Sequence, residues 1–207
     1  YSQSGIREED GMEVKVTGKP NIYNPPGRLS LNAEKIEPVG EGALKKAYEL
    51  LKAQLEKEGL FARKREIPNF IQRVGVISSK QGVVIHDFLN NLSPLGFQIF
   101  FYDSRMEGQE AVGSVVKGVE WFNSKMPDLD VLIIMRGGGS LESLQAFNNE
   151  LVARAAFASS IPIIAGIGHD VDVPIMSLVA DQIESTPTAT AILVNQSWDP
   201  LIKGLPM

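Results

Sequence analysis

From residue 73 onward, short apolar runs alternate with amphipathic stretches, and this alternation constrains the fold more than any other feature of the chain. The runs are 74–78, 97–101, 131–135 and 161–165; between them lie 83–95, 108–123 and 141–159. In 83–95 the apolar residues Val84, Ile85, Phe88, Leu89 and Leu92 recur at helical spacing, and in 108–123 Val112, Val115, Val116, Val119 and Phe122 do the same. Runs so short and uniformly apolar predict strands covered on both faces. Strands separated by helices pair in parallel through right-handed crossovers. The expected fold is therefore α/β, a mostly parallel sheet flanked by helices in a Rossmann-like three-layer arrangement. Ligands of such sheets sit beyond the carboxyl ends of the strands. Ser78, Asp103, Arg136 and His169 all fall just past those ends.

The earlier residues read differently. Alternation in 12–18 and again in 29–36, with a turn over 21–27, predicts two or three antiparallel strands, too few to be stable without a partner surface. Because the chain opens on Tyr1 rather than methionine, it reads as a piece of something longer. A helix is expected over 41–57, with Leu44, Ala47, Tyr48, Leu51 and Leu55 on one face and Gly59 as its C′ residue. The basic cluster Arg63-Lys64-Arg65 reads first as a solvated connector and second as a phosphate-backbone contact. No apolar run reaches the roughly 18 residues of a membrane span. The absence of cysteine excludes disulfides and thiolate metal sites and fits a cytoplasmic protein. With a net charge of −5 there is no global basic field, so any phosphate must be held by local groups.

Those groups are concentrated in 128–190. The third run leads into Arg136-Gly137-Gly138-Gly139-Ser140, which predicts a glycine turn opening onto a helix with Ser140 as its N-cap. Glycines let a ligand approach the backbone, N–H groups and the helix dipole favour an anion, and a guanidinium grips phosphate bidentately. The competing reading is a flexible turn, because three glycines match neither G-x-G-x-x-G nor a P-loop. The fourth run delivers Gly168-His169-Asp170-Val171-Asp172. One of two histidines in the chain, His169 can be a structural hydrogen-bonder; Asp170 and Asp172 are near enough to orient it, raise its pKa or share a metal. Asp172 also suits the N-cap of a helix over 173–179, with Pro174 in its first turn. Thr186-Pro187 reads as the N-cap and N1 pair of a last helix, and Asp87 as an unremarkable carboxylate on the flank of an apolar face.

These motifs together resemble the large subunit of bacterial exodeoxyribonuclease VII. The residues carrying the resemblance are Val74-Gly75-Val76-Ile77-Ser78-Ser79, Gly82-x-x-x-x-Asp87, Arg136-Gly137-Gly138-Gly139-Ser140-Leu141-Glu142 and Phe147-Asn148. Gly168-His169-x-x-Asp172, Val179-Ala180-Asp181 and Thr186-Pro187-Thr188 belong to it too, as do Gly40-Glu41-Gly42-Ala43-Leu44 and Glu58-Gly59-Leu60-Phe61. The resemblance implies that 1–39 is the C-terminal remnant of an OB-fold nucleic-acid-binding domain and 40–67 a helical linker. It makes 68–190 the catalytic α/β nuclease domain and 191–207 the start of a truncated C-terminal region, where Pro200 and Gly204 do not suit a long helix. It further implies hydrolysis of single-stranded DNA from both ends to oligonucleotides, with a small subunit as partner. The catalytic residues it implies are Asp87, Arg136, His169 and Asp172, with Gly137, Gly138, Gly139 and Ser140 binding phosphate. Metal use stays open; Mg2+ is the candidate, with Asp87, Asp170 and Asp172 as its ligands. Where family members usually read Gly-His-Glu-Thr-Asp and then Thr-Ile-Ala-Asp, this chain has Asp170-Val171-Asp172 and Pro174-Ile175-Met176-Ser177. The alternatives are a non-catalytic module binding a nucleotide or sugar phosphate, and a scaffold for assembly.

Overall fold

The computed structural model describes residues 14–23, 28–38, 40–108, 110–138, 143–167 and 173–204. Strands β1 (Val14–Tyr23) and β2 (Arg28–Pro38) form an antiparallel hairpin. Its register skips Glu34: Thr17 faces Lys35 while Gly18 faces Ala33. This bulge matters because side chains alternate along a strand. With one residue inserted, Ile36 returns to the same face as Leu29 and Leu31, opposite Val16 and Ile22. Ile22, Leu29 and Leu31 stand exposed on that face.

Helix α1 (Glu41–Lys57) follows. Gly59 has φ +83°, its N–H donates to the Glu56 carbonyl at 2.9 Å, and the Leu60 N–H donates to Leu55 at 3.0 Å. Those two bonds make a Schellman ending, which needs a left-handed residue at that position. Ala47, Tyr48, Leu51 and Leu55 are buried, and the Tyr48 hydroxyl donates to the Val173 carbonyl at 2.8 Å. The helix is thereby packed onto the domain that follows it.

That domain is a five-stranded parallel sheet. In chain order it comprises β3 (Arg73–Ser78), α2 (Val83–Asn91), β4 (Gln98–Asp103), α3 (Ala111–Lys125) and β5 (Val131–Arg136). Then come α4 (Glu150–Ala158), β6 (Ile163–Ile167), α5 (Ile175–Val179), β7 (Gln182–Ile183), α6 (Pro187–Gln196) and α7 (Asp199–Gly204). In space the strands run β4-β3-β5-β6-β7. One face packs Val74, Val76, Ile133, Met135 and Ile164 against Ile85 and Phe88 of α2 and Ala191 and Val194 of α6. The opposite face packs Ile77, Leu132, Ile134, Ile163 and Ala165 against α3, α4, α5 and α1. With both faces covered, every residue of β5 and β6 is buried, which is why those segments read as continuous apolar runs. At Gly166 the α6 helix comes so close that an added Cβ would lie 2.6 Å from Thr190 Oγ1 and 3.0 Å from Met135 Cγ. Gly166→Ala is expected to destabilise the protein by about 1–3 kcal/mol through overpacking, measured by chemical denaturation.

Several expectations need correction. The stretch after the glycines is not one helix over 141–159: a 3₁₀ turn covers Gln145–Asn148, and α4 begins at Glu150. Its N-cap is Asn149, whose side chain accepts from the Leu151 N–H at 2.9 Å, so Ser140 does not cap this helix. Nor does Asp172 cap a helix over 173–179. Helix α5 starts at Ile175, has Pro174 at its N-cap, and its Ile175 N–H donates to Asn148 Oδ1 at 3.0 Å. Helix α2 stops at Asn91 rather than 95, because Pro94 disfavours helical backbone at Ser93. Asn195 then takes over, accepting from the Ser93 N–H and donating to the Asn91 carbonyl. Strand β6 starts at Ile163, later than expected, since Pro162 has no N–H to give a ladder. The two-residue β7 went unanticipated. Thr186 and Pro187 cap and open α6 as expected, the Thr186 hydroxyl accepting from the Ala189 N–H at 3.0 Å.

Arg63 and Lys64 are exposed, as a solvated connector requires, but residues 63–65 are not a free basic patch. Arg65 Nε donates to both carboxylate oxygens of Asp181 at 3.0 and 2.8 Å, its backbone N–H donates to the same carboxylate at 2.6 Å, and its Nη1 donates to the Ser159 carbonyl. Lys64 Nζ donates to the Leu178 and Ala180 carbonyls at the C-terminal end of α5. Desolvation in this setting pushes the Lys64 ammonium below its usual pKa. The Arg63 guanidinium lies over the Phe157 ring, 5.2 Å from its centroid.

Candidate functional site

Helix α2 carries the chain from β3 outward to β4, and α3 carries it back past β3 to β5. Connections from neighbouring strands therefore diverge at β3 and β5, and a crevice opens beyond their carboxyl ends. A cavity of about 430 Å³ occupies it. The end of β3 contributes Ser78 and the loop after it Ser79, Gln81 and Gly82, with Val84 from the first turn of α2. The loop after β4 contributes Arg105, Met106 and Glu107, and the end of β5 contributes Met135, Arg136, Gly137 and Gly138.

Local bonds hold these loops in place. Buried Ser78 donates from Oγ to the Met135 carbonyl at 2.9 Å, locking the end of β3 to that of β5. The Lys80 N–H donates to Asp103 Oδ1 at 2.9 Å, and Ser104 and Arg105 are tied to the Ser114 hydroxyl on α3. Gly82 stands at the N-cap of α2 with extended backbone and offers no capping side chain. The first turn of α2 thus brings its positive dipole end to the cavity wall.

Arg136 dominates the electrostatics. Only 5% of its surface is exposed, although it carries a permanent charge. Its Nη2 donates to Glu107 Oε1 at 2.6 Å, while Nε and Nη1 are buried and have no partner among the described residues. Leaving charged donors dry and unpaired is costly. A buried guanidinium in that state, beside an open cavity and a helix N-terminus, is built to accept an anion.

The other expected site residues are distributed as follows. Gly137 and Gly138 line the cavity with Arg136. Gly139, Ser140, His169, Asp170 and Asp172 lie outside the described residues. Strand β6 ends at Ile167, which pairs in register with Arg136. Asp87 is not part of the cavity lining. It is exposed on α2, one turn beyond Val84, whose Cγ2 faces Gly137. Ser177 is wholly buried and its hydroxyl has no partner among the described residues. Among the described residues, no three His, Cys, Asp or Glu side chains gather in a way that would hold a metal. Glu107 is the residue that sequence reasoning missed; its one signal was its position in the loop beyond a strand's carboxyl end.

The family model described as "Exonuclease VII, large subunit" matches residues 60–205. The exodeoxyribonuclease 7 large subunits of Streptococcus pneumoniae strains D39 and R6 are each 42% identical to the chain over 197 residues. Those alignments cover 93% of this chain and 44% of each relative. The chain therefore spans less than half the length of the curated relatives it matches.

Proposed function

We infer from the family to which this chain belongs, the exonuclease VII large subunits, that it forms the phosphodiester-cleaving core of such a subunit. The substrate is single-stranded DNA, hydrolysed from both ends to oligonucleotides. The observation that carries the reading is the buried Arg136, with two donors that have no partner among the described residues, at a cavity where open α/β sheets hold ligands.

In the proposed mechanism, Arg136 and the N–H groups of Gly137, Gly138, Gly139 and Ser140 hold the scissile phosphate. They stabilise the charge that builds on its oxygens in the pentavalent transition state. His169 shuttles the proton as general base or acid. Asp172 orients His169, and Asp87, one turn along α2 from the cavity wall, orients the attacking water. A divalent ion such as Mg2+, held by Asp87, Asp170 and Asp172, would supply an activated water. Only Asp87 of those three lies among the described residues.

The same reading assigns the small subunit of exodeoxyribonuclease VII as partner and the cytoplasm as location. No described helix is long and apolar enough to cross a membrane. The exposed face of the β1–β2 hairpin supports placing 1–39 as the last part of an OB-fold, whose remaining strands would cover Ile22, Leu29 and Leu31. Residues 40–67 serve as the linker, 68–190 as the nuclease domain and 191–207 as the start of a C-terminal region.

The test is degradation of single-stranded DNA by the full-length subunit assembled with its small subunit, with and without EDTA. His169→Ala is expected to abolish cleavage while the thermal transition is retained; full activity in that variant ends the proposal. Binding of small phosphates with no cleavage at all, even in the assembled enzyme, would instead favour a non-catalytic phosphate-binding module.

A further inference from the structure

We propose that Glu107 is a displaceable counter-ion of Arg136, and that it sets the preference of the site for a singly charged phosphodiester over a doubly charged phosphomonoester. The inference rests on reading the Arg136 cavity as the phosphate site. A guanidinium presents two bidentate forks, Nε with Nη2 and Nη1 with Nη2. Nη2 is common to both, and it is the atom that donates to Glu107 Oε1 at 2.6 Å. Nε and Nη1, the two donors without a partner among the described residues, lie on opposite sides of the group and cannot grip one phosphate without Nη2. A phosphate that engages Arg136 as a fork therefore meets the Glu107 carboxylate at the shared nitrogen.

The two partners differ in freedom. The Arg136 side chain is 6% exposed and fixed at the end of β5, whereas that of Glu107 is 68% exposed on the loop after β4. Glu107 is the one that swings away or stays alongside the ligand. While it stays near, it repels ligand charge, and a dianion suffers more than a monoanion. An additional charge at about 5 Å in half-screened surroundings weighs roughly tenfold in affinity. Arg105, which also lines the cavity, pairs instead with Glu110 at 2.7 Å.

The experiment measures binding to the full chain by NMR titration at pH 8, where a phosphomonoester is a dianion. The probes are thymidine 5′-monophosphate and the dinucleotide diester thymidylyl-thymidine. Glu107→Gln is expected to tighten the monophosphate about tenfold more than it tightens the diester. Glu107→Asp, which keeps the charge, should retain the original preference. Equal changes for both probes in Glu107→Gln, no change, or weakening of both would overturn the proposal. Unaltered monophosphate binding in Arg136→Ala would remove the phosphate site itself, a failure of the underlying reading distinct from a failure of Glu107.

Discussion

Replacing Arg136 with alanine is expected to lower kcat for single-stranded DNA cleavage by at least about 10²–10³-fold, the usual cost of removing one preorganised transition-state donor. Stability should hardly suffer. Arg136 is buried with two of its three nitrogens unpartnered among the described residues, so its removal eliminates a desolvated charge rather than a well-satisfied one. Glu107, its counter-ion, is exposed and returns to water. The signature is therefore an enzyme that has lost its activity while its melting temperature is unchanged or higher. Arg136→Lys should not restore cleavage, because an ammonium offers a point charge where the phosphate needs a fork. An alanine variant that melts many degrees lower would mean that Arg136 serves packing, and one that cleaves normally would take the phosphate away from this cavity.

The largest loss of stability is expected at Asp181, far from any chemistry. Its carboxylate is completely inaccessible and accepts from Arg65 Nε, the Arg65 backbone N–H and the Ile163 N–H. It thereby joins the segment after α1 to the start of β6. Asp181→Ala leaves a guanidinium that is 13% exposed facing an empty site, together with two orphaned backbone donors. Breaking a buried pair from one side costs about 3–5 kcal/mol. Urea denaturation should register that loss. A double-mutant cycle with Arg65→Ala should recover part of it, because removing both partners leaves no lone buried charge. A measured loss below about 1 kcal/mol for Asp181→Ala would show that water reaches the pair and that the clamp is ornamental.

Much of the architecture could be read without coordinates, for a local reason. Burial of both faces of a parallel sheet requires apolar runs such as 131–135, and a helix lying on that sheet requires apolar residues at 3.6-residue spacing. Both demands are written in neighbouring residues. Caps are equally local, which is why Thr186-Pro187 and Gly59 were recognisable. The errors came where two local signals competed. Ser140 and Asn149 are both good caps, and only Asn149 sits where buried Phe147 and Ala146 end their 3₁₀ turn. Asp172 and Asn148 both suit the start of α5, and it is the distant Asn148 that reaches the Ile175 N–H.

By itself, the sequence determined an α/β chain with a glycine turn and an arginine at one strand end, and a resemblance specific enough to name a family. Tertiary structure alone decided which loops meet. Placing β5 beside β3 on the side away from β4 puts Arg136 across a cavity from the β3 loop and within reach of Glu107, 29 residues earlier. The same folding brings Arg65 to Asp181 across 116 residues. Periodicity records whether a residue faces the core, because that depends on its own element. Which charge answers which depends on the direction each crossover takes, and no short stretch of chain carries that information.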